Sequence, residues 1–358
     1  MKTNLSFLLL PLFFGLGMAS AQNVTIPDAN FKNYLLSVPA INTNSDGEIQ
    51  YSEAAAFTGT INAGYLGISD LSGIEAFTAL GGLNCNNNNL SSLNISSNTA
   101  LSLLNCSVNQ LTGLNLSTNT QLSILVCGYN NLTGINSLSA TALTAIYCEE
   151  NNLPNLNVSY NAGLTTMNCA NNQLTTLDVL NNPALRYLNC QDNQIVSLDL
   201  VANPALQEVR CFNNQLTYLS IQNGNNSNLT AFAAHNNPGL TCIQVDNASY
   251  MNSNWPGGKD PTTIYSTNCA MALNVANASN SAEGISVYPN PVNTVLTINS
   301  GYANDVTASL YDVNGKNVVN KKITGATDIN TDILPNGIYN LVLRNETEVS
   351  SRKIVVSK

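Results

Sequence analysis

From Leu80 to Leu219 the apolar and polar positions of the chain recur every 21 residues. Take Cys85, Cys106, Cys127, Cys148, Cys169, Cys190 and Cys211 as position zero. Leucine then stands five residues before, and an apolar residue two before: Leu83, Leu104, Leu125, Ile146, Met167, Leu188 and Val209. Asparagine stands three after in every repeat (Asn88, Asn109, Asn130, Asn151, Asn172, Asn193, Asn214), and Leu or Ile fills +5 and +8. Alternation around the cysteine has the period of a strand, with −2 and 0 inward and −3, −1 and +1 outward. A unit this short cannot enclose its own leucines, so each must bury them against the next. The pattern therefore predicts one coil per repeat: a strand at the cysteine, a turn at the asparagine and a return segment through +8 and +10. Parallel strands stand about 4.8 Å apart, so equivalent residues should form ladders along the stack.

The pattern changes at both ends. Phe31, Tyr34, Leu35 and Val38 have helical spacing behind Asp28, a natural N-cap. Leucine-like residues then recur every three positions from Ile68 to Leu80, with Ala63 where a thiol would stand. Beyond the regular array, Leu229 to Val245 forms an irregular eighth repeat with Ala234 in the cysteine place. From residue 285 the runs TVLTI, TASLYDV, GIYNLVL and RKIVVS are separated by Asn314-Gly315 and Asn336-Gly337, as in a small antiparallel β-sandwich.

The L-x-x-L-x-C-x-x-N-x-L frame resembles the leucine-rich repeat, and its opening coil resembles that of internalin-type arrays. The tail motifs VYPNPVNTVLTI, LYDVNGKNV and LPNGIYNLVL, ending KIVVSK, resemble the C-terminal sorting domain of the Bacteroidetes type IX secretion system. The fold expected is mainly β: a leucine-rich-repeat solenoid with a short helical N-terminal cap, plus a small C-terminal antiparallel β-sandwich. The tail's resemblance implies contact with the type IX machinery, export across the outer membrane, removal of the tail, and release or attachment to the cell surface.

The first residues agree with export. Lys2, an apolar run from Phe7 to Met18 and Ala19-Ser20-Ala21 read as a signal peptide over 1–21. The remaining expected segments are an N-terminal cap (22–60), repeats (61–245), a C-terminal cap of the array (246–273), a polar linker (274–284) and the sorting domain (285–358). No later run is apolar enough to span a membrane. Charge is uneven: residues 22–269 carry 14 acids and 4 bases, whereas 285–358 carry 6 acids and 7 bases. An acidic array with so few cations excludes a nucleic-acid surface.

In this geometry the seven cysteines are a buried ladder of small apolar side chains. A zinc site would need ligands converging from several directions, and the chain has one histidine, His235. Cys242 and Cys269 break the period. Where an array must cover its last open edge outside the cytoplasm, they are expected to form a disulfide; the alternative is two free thiols.

The loop Asn42 to Glu53 resembles an EF-hand loop. Oxygen side chains fall at positions 1, 3 and 5 (Asn42, Asn44, Asp46), glycine at 6 (Gly47), Gln50 at 9 and Glu53 at 12, with Glu48 offering its carbonyl. It is either a weak structural Ca2+ site, with Kd roughly 10⁻⁴ to 10⁻³ M, or a polar turn whose glycine reverses the chain. No other cofactor is called for.

No nucleophile elbow or His-rich motif is present, so a binding protein is expected and not an enzyme. Ile124, Val126, Tyr147, Glu149, Tyr187, Arg210 and Phe212 occupy outward strand positions, with Tyr129 and Glu150 at +2. Tyr, Phe and Arg dominate interface hot spots, so this concave face is a candidate surface for protein binding or adhesion. A glycan ligand would use the same tyrosines as stacking platforms. A passive surface-layer or adhesive spacer of roughly 45 to 50 Å is the third reading.

Overall fold

A computed structural model describes residues 22–137, 139–269, 286–299, 306–312, 316–344 and 349–358. The signal peptide, the linker and the Asn314-Gly315 turn read from the sequence lie outside these residues. The chain divides into two units, Met1–Leu273 and Asn274–Lys358.

The first unit is a parallel solenoid. Nine three-residue strands, from Thr60–Asn62 through Leu103–Asn105 and Ile124–Val126 to Ala231–Ala233, form one sheet in chain order. Register follows the repeat: Leu104 pairs with Leu125, Leu125 with Ile146 and Ile146 with Met167. Each strand covers only positions −3 to −1 of its repeat. Pairing nevertheless continues through the thiol residues, as Cys106 N donates to Val126 O and Cys127 N to Tyr147 O, both at 2.8 Å.

All seven thiols are fully buried and unpaired. Burial pushes Cys106 and Cys211 up to about 12, and it raises the others well above the ordinary thiol value, with a neighbouring thiol adding to the effect. They act as compact apolar groups in the same core as the leucines.

The asparagine at +3 closes each turn. Asn130 donates through Nδ2 to Cys106 O and Cys127 O at 3.1 Å, while its Oδ1 accepts from Leu111 N at 3.0 Å. One side chain thus satisfies main-chain groups of two coils that no strand partner reaches. A second asparagine ladder stands at +13: Asn98, Asn119, Asn161, Asn182 and Asn203 are all buried. Asn119 Nδ2 donates to Ile95 O and Asn98 O, and Asn182 Nδ2 to Val158 O and Asn161 O. Ala140 interrupts this ladder, and its carbonyl accepts from Asn161 Nδ2 at 2.7 Å.

Both ends of the stack are covered. Helices α1 (Ala29–Leu36) and α2 (Tyr51–Ala56) precede the first strand. Asp28 caps α1 by accepting from Asn30 N and Phe31 N, and its second oxygen accepts from Ser69 N and Asp70 N of the first coil. At the other end a return-side sheet runs Ser197–Asp199, Tyr218–Ser220, Cys242–Gln244 and Ile264–Ser266, followed by the Cys242–Cys269 disulfide with Cα atoms 5.7 Å apart.

The second unit holds two antiparallel sheets. One contains Ser286–Tyr288, Val295–Asn299 and Ala326–Asn330; the other contains Asn317–Ile323, Val306–Tyr311, Gly337–Arg344 and Val349–Val356. Leu296, Ile298, Leu310, Leu341 and Ile354 share its separate core.

Candidate functional site

The strand face of the solenoid carries the side chains that point away from the thiol ladder. It is less open than alternation alone suggests. Most residues at −3, −1 and +1 are half-buried, and Gly82, Gly128 and Ala170 are buried, because in-register neighbours one rung away flank every side chain. The expectation of a freely exposed face is corrected in this respect: Ile124, Val126, Tyr147, Glu149 and Phe212 are half-buried, whereas Tyr187 and Arg210 are exposed.

The nine expected contact residues fall into two groups. Ile124, Val126 and Tyr129 belong to the Cys127 rung and Tyr147, Glu149 and Glu150 to the adjacent Cys148 rung, with Val126 paired to Tyr147. The next rung interposes Thr166, Asn168 and Ala170, and Tyr187, Arg210 and Phe212 lie beyond it. In the second group the polar capacity is largely met internally. Arg210 pairs with Glu208 at 2.6 Å, and Tyr187 Oη donates to Gln207 Oε1 at 3.2 Å. Phe212 stacks on His235 with centroids 4.8 Å apart and planes 10° off parallel.

Two unusual features mark the first group and the Cys106 rung before it. Every +2 residue from Asn87 to Asn213, and its counterpart Asn236, has a positive φ of 52° to 56°, because the chain turns sharply out of the strand there. Asn or Asp holds this place on five rungs, where the short polar side chain tolerates the left-handed conformation. On three consecutive rungs the residues are instead Val108, Tyr129 and Glu150. All three side chains are exposed, so packing does not compensate for the conformational cost.

Beside them sits Glu149. Its carboxylate leans over Gly128, one rung back, and Oε2 is buried with no hydrogen-bond partner. Loss of solvation raises the Glu149 carboxyl above the usual range, and the charge of Glu150 adds to the rise. Sequence pattern identified Glu149 only as outward-facing; Val108 at φ 54° lay outside the contact set, although its departure from the Asn/Asp preference at +2 was visible.

The Asn42–Glu53 segment follows α1 and ends in the first turn of α2, away from these rungs in sequence. Asp46 is held below the ordinary carboxylate value by the Glu48 N–H and the Gln50 side chain. Burial works to raise Glu53, but N–H donors of Gln50, Thr43 and Asn44 and the Thr43 hydroxyl outweigh it. Among the described residues no three or more His, Cys, Asp or Glu cluster as a metal site. On the return side, an open groove of about 660 Å³ is lined by neutral groups such as Ser92, Thr112, Asn115 and Asn136, without an aromatic platform.

Residues 286–357 match the family described as the secretion system C-terminal sorting domain. No curated protein matches the chain. Among solved structures, the chain is similar to the functional domain of InlJ from Listeria monocytogenes, which includes a cysteine ladder: identity is 19%, TM-score 0.32, and the match covers 94% of this chain and 98% of that one. Internalin C2 from Listeria monocytogenes shows 18% identity and a TM-score of 0.43 over 67% of this chain and 93% of that one. YopM, a leucine-rich effector protein from Yersinia pestis, shows 21% identity and a TM-score of 0.45 over 63% of this chain and 57% of that one. The repeat frame and its stacked rungs make the first unit a leucine-rich-repeat solenoid. The sorting-domain match makes the chain a type IX secretion substrate, secreted or displayed at the cell surface. Among the described residues no helix is long and apolar enough to cross a membrane.

Proposed function

We propose that this is an extracellular docking protein whose strand face, at the Cys106, Cys127 and Cys148 rungs, binds a protein partner through a basic side chain. The observation that carries this reading is the run Val108, Tyr129 and Glu150, exposed in a conformation that favours asparagine, next to a carboxylate with an unpartnered oxygen. Stability alone would select Asn at +2 and a neutral residue at 149. A partner supplies what the free chain lacks: Lys or Arg donors for Glu149 and Glu150, and apolar surface against Tyr129 and Val108. The charge of the array, 14 acids against 4 bases, favours approach of such a partner. Phe212 and His235 form a separate platform outside the proposed contact.

The test is selection of a random peptide library on the full chain. Enrichment of Lys- or Arg-containing peptides that is lost with the paired change Glu149→Gln and Glu150→Gln, and kept with Phe212→Ala, supports the assignment. Enrichment indifferent to the paired change overturns it, as does selective retention of neutral oligosaccharides on a glycan array.

A further inference from the structure

The N-terminal cap carries a feature independent of the strand face. The segment from Asn42 to Glu53, which runs into the first turn of α2, reverses through Ser45 at φ 58° and Gly47 at φ 83°. Its oxygens are gathered and not splayed into solvent. Asp46 Oδ2 accepts from Asn44 Nδ2 at 3.0 Å and from Gln50 Nε2 at 2.8 Å, and Asn44 Nδ2 also reaches Gln50 Oε1 at 2.9 Å. Glu53 folds back across the loop, with Oε1 at 2.8 Å from Thr43 N and 2.7 Å from Thr43 Oγ1. The Glu48 side chain is drawn away, both oxygens accepting from Lys32 Nζ at 2.8 Å, so only its main-chain carbonyl remains for the loop.

The telling atom is Asn42 Oδ1. Asn42 is 7% exposed, and this oxygen is buried without any hydrogen-bond partner. Its amide nitrogen is directed at Leu36 O, 3.5 Å away at the end of α1, so the planar amide turns its oxygen away from that helix. Thr43, whose N–H and hydroxyl the Glu53 carboxylate accepts, is the next residue. An amide oxygen buried unpaired is unfavourable, and the opening position of a twelve-residue oxygen loop is where a bound cation supplies the missing partner.

We propose that residues 42–53 hold one Ca2+, through the side-chain oxygens of Asn42, Asn44, Asp46, Gln50 and Glu53 and the main-chain carbonyl of Glu48. The donors are all hard oxygens, which suits calcium and disfavours zinc or iron. Magnesium keeps a tight octahedron and most of its water, so a loop of long neutral amides serves it poorly. Gln50 now turns its Nε2 toward Asp46, and rotation of that amide presents its oxygen instead; Asn44 Oδ1 accepts from Asp46 N at 3.0 Å and keeps its second lone pair for the ion. Only Asp46 and Glu53 bring charge, which places the affinity at roughly 10⁻⁴ to 10⁻³ M, the range of extracellular modules. The ion would tie α1 to α2 beside the first coil.

The experiment uses the full chain after chelation, with its unfolding midpoint followed during titration with CaCl2 or MgCl2 to about 10 mM, above the affinity range given for such modules. Calcium raises the midpoint, magnesium at equal concentration does not, and Asp46→Asn loses the response. Asn42→Asp, which adds a charge at the orphaned position, tightens calcium binding about tenfold by isothermal titration. That gain separates ligation from a merely structural role, since it does not depend on a variant that weakens the cap. Equal responses to both ions, no response to either, or an Asn42→Asp chain that binds calcium no tighter than the wild type overturns the assignment.

Discussion

Glu149 lies across Gly128: a Cβ placed on the glycine would come within 2.9 Å of the carboxylate carbon and Oε1. The glycine makes the space into which the carboxylate is tucked, and that space is what strips it of water. Gly128→Ala should therefore push the carboxylate outward at a cost of about 1 kcal/mol for local crowding. By carboxyl carbon NMR, the Glu149 titration should move down toward the ordinary value. An unmoved titration would mean that Gly128 has no part in the shift.

The same group gives the protein a signed dependence on pH. The folded-state pKa of Glu149 is raised, so the native state holds its proton more tightly than the unfolded state does. Stability from this group is thus fully present below the ordinary glutamate pKa and falls as pH rises through the raised value. Glu149→Gln should flatten that segment of the profile and stabilise the protein at neutral pH by on the order of 0.5 kcal/mol, discounted for solvent screening. Denaturant midpoints of both chains from pH 4 to pH 8 provide the check, pH 4 lying at about the ordinary glutamate value and pH 8 well above it.

Val108→Asn and Tyr129→Asn should each raise stability, by about 1 kcal/mol, because asparagine tolerates the left-handed backbone better than a β-branched or aromatic residue. Their effect on partner binding should be the reverse. A chain that gains stability and keeps full affinity would remove +2 from the contact surface.

The thiol ladder predicts chemical silence. With Cys106 and Cys211 raised to about 12, the other five well above the ordinary thiol value and all seven fully buried, an aromatic disulfide reagent at mildly alkaline pH should label none of them in the native chain. All seven should react after denaturation, leaving Cys242–Cys269 intact. Cys148→Ser should destabilise by roughly 1 to 3 kcal/mol, since it buries a hydroxyl in an apolar column. Native labelling of even two or three thiols would show that the column is open.

Asn130→Ala removes one acceptor and two strong donor contacts at a turn shared by two coils. A loss of roughly 3 kcal/mol is expected from the main-chain groups left unpaired. Hydrogen exchange should localise it, with Leu111 N losing protection ahead of amides three rungs away. Uniform loss along the array would instead indicate a global effect.

Much of the scaffold was legible because the repeat is strict. A fixed 21-residue interval dictates in-register stacking, and stacking dictates that Cys and the −2 leucines are buried together. Asp28 as N-cap and the helical spacing of Phe31 and Leu35 together announced α1. Other features depend on neighbours that no single repeat reveals. The strand face is half-buried because each outward residue is flanked by its equivalents, so exposure at Val126 is set by Asn105 and Tyr147. The left-handed +2 position and the Asn98-to-Asn203 ladder were written in the pattern, at places where polar residues ordinarily read as loop. Glu149's lost solvation depends on a glycine 21 residues earlier, a relation that only the coil brings together.

The Cys242–Cys269 bridge has a consequence for maturation. Nine cysteines leaving a reducing compartment could in principle crosslink in many wrong combinations. Coiling conceals seven of them as soon as each turn settles on its predecessor, a contact only 21 residues distant along the chain. What an oxidant meets once the coils have stacked is a single pair separated by 27 residues, so stacking before oxidation would do the sorting otherwise left to a disulfide isomerase.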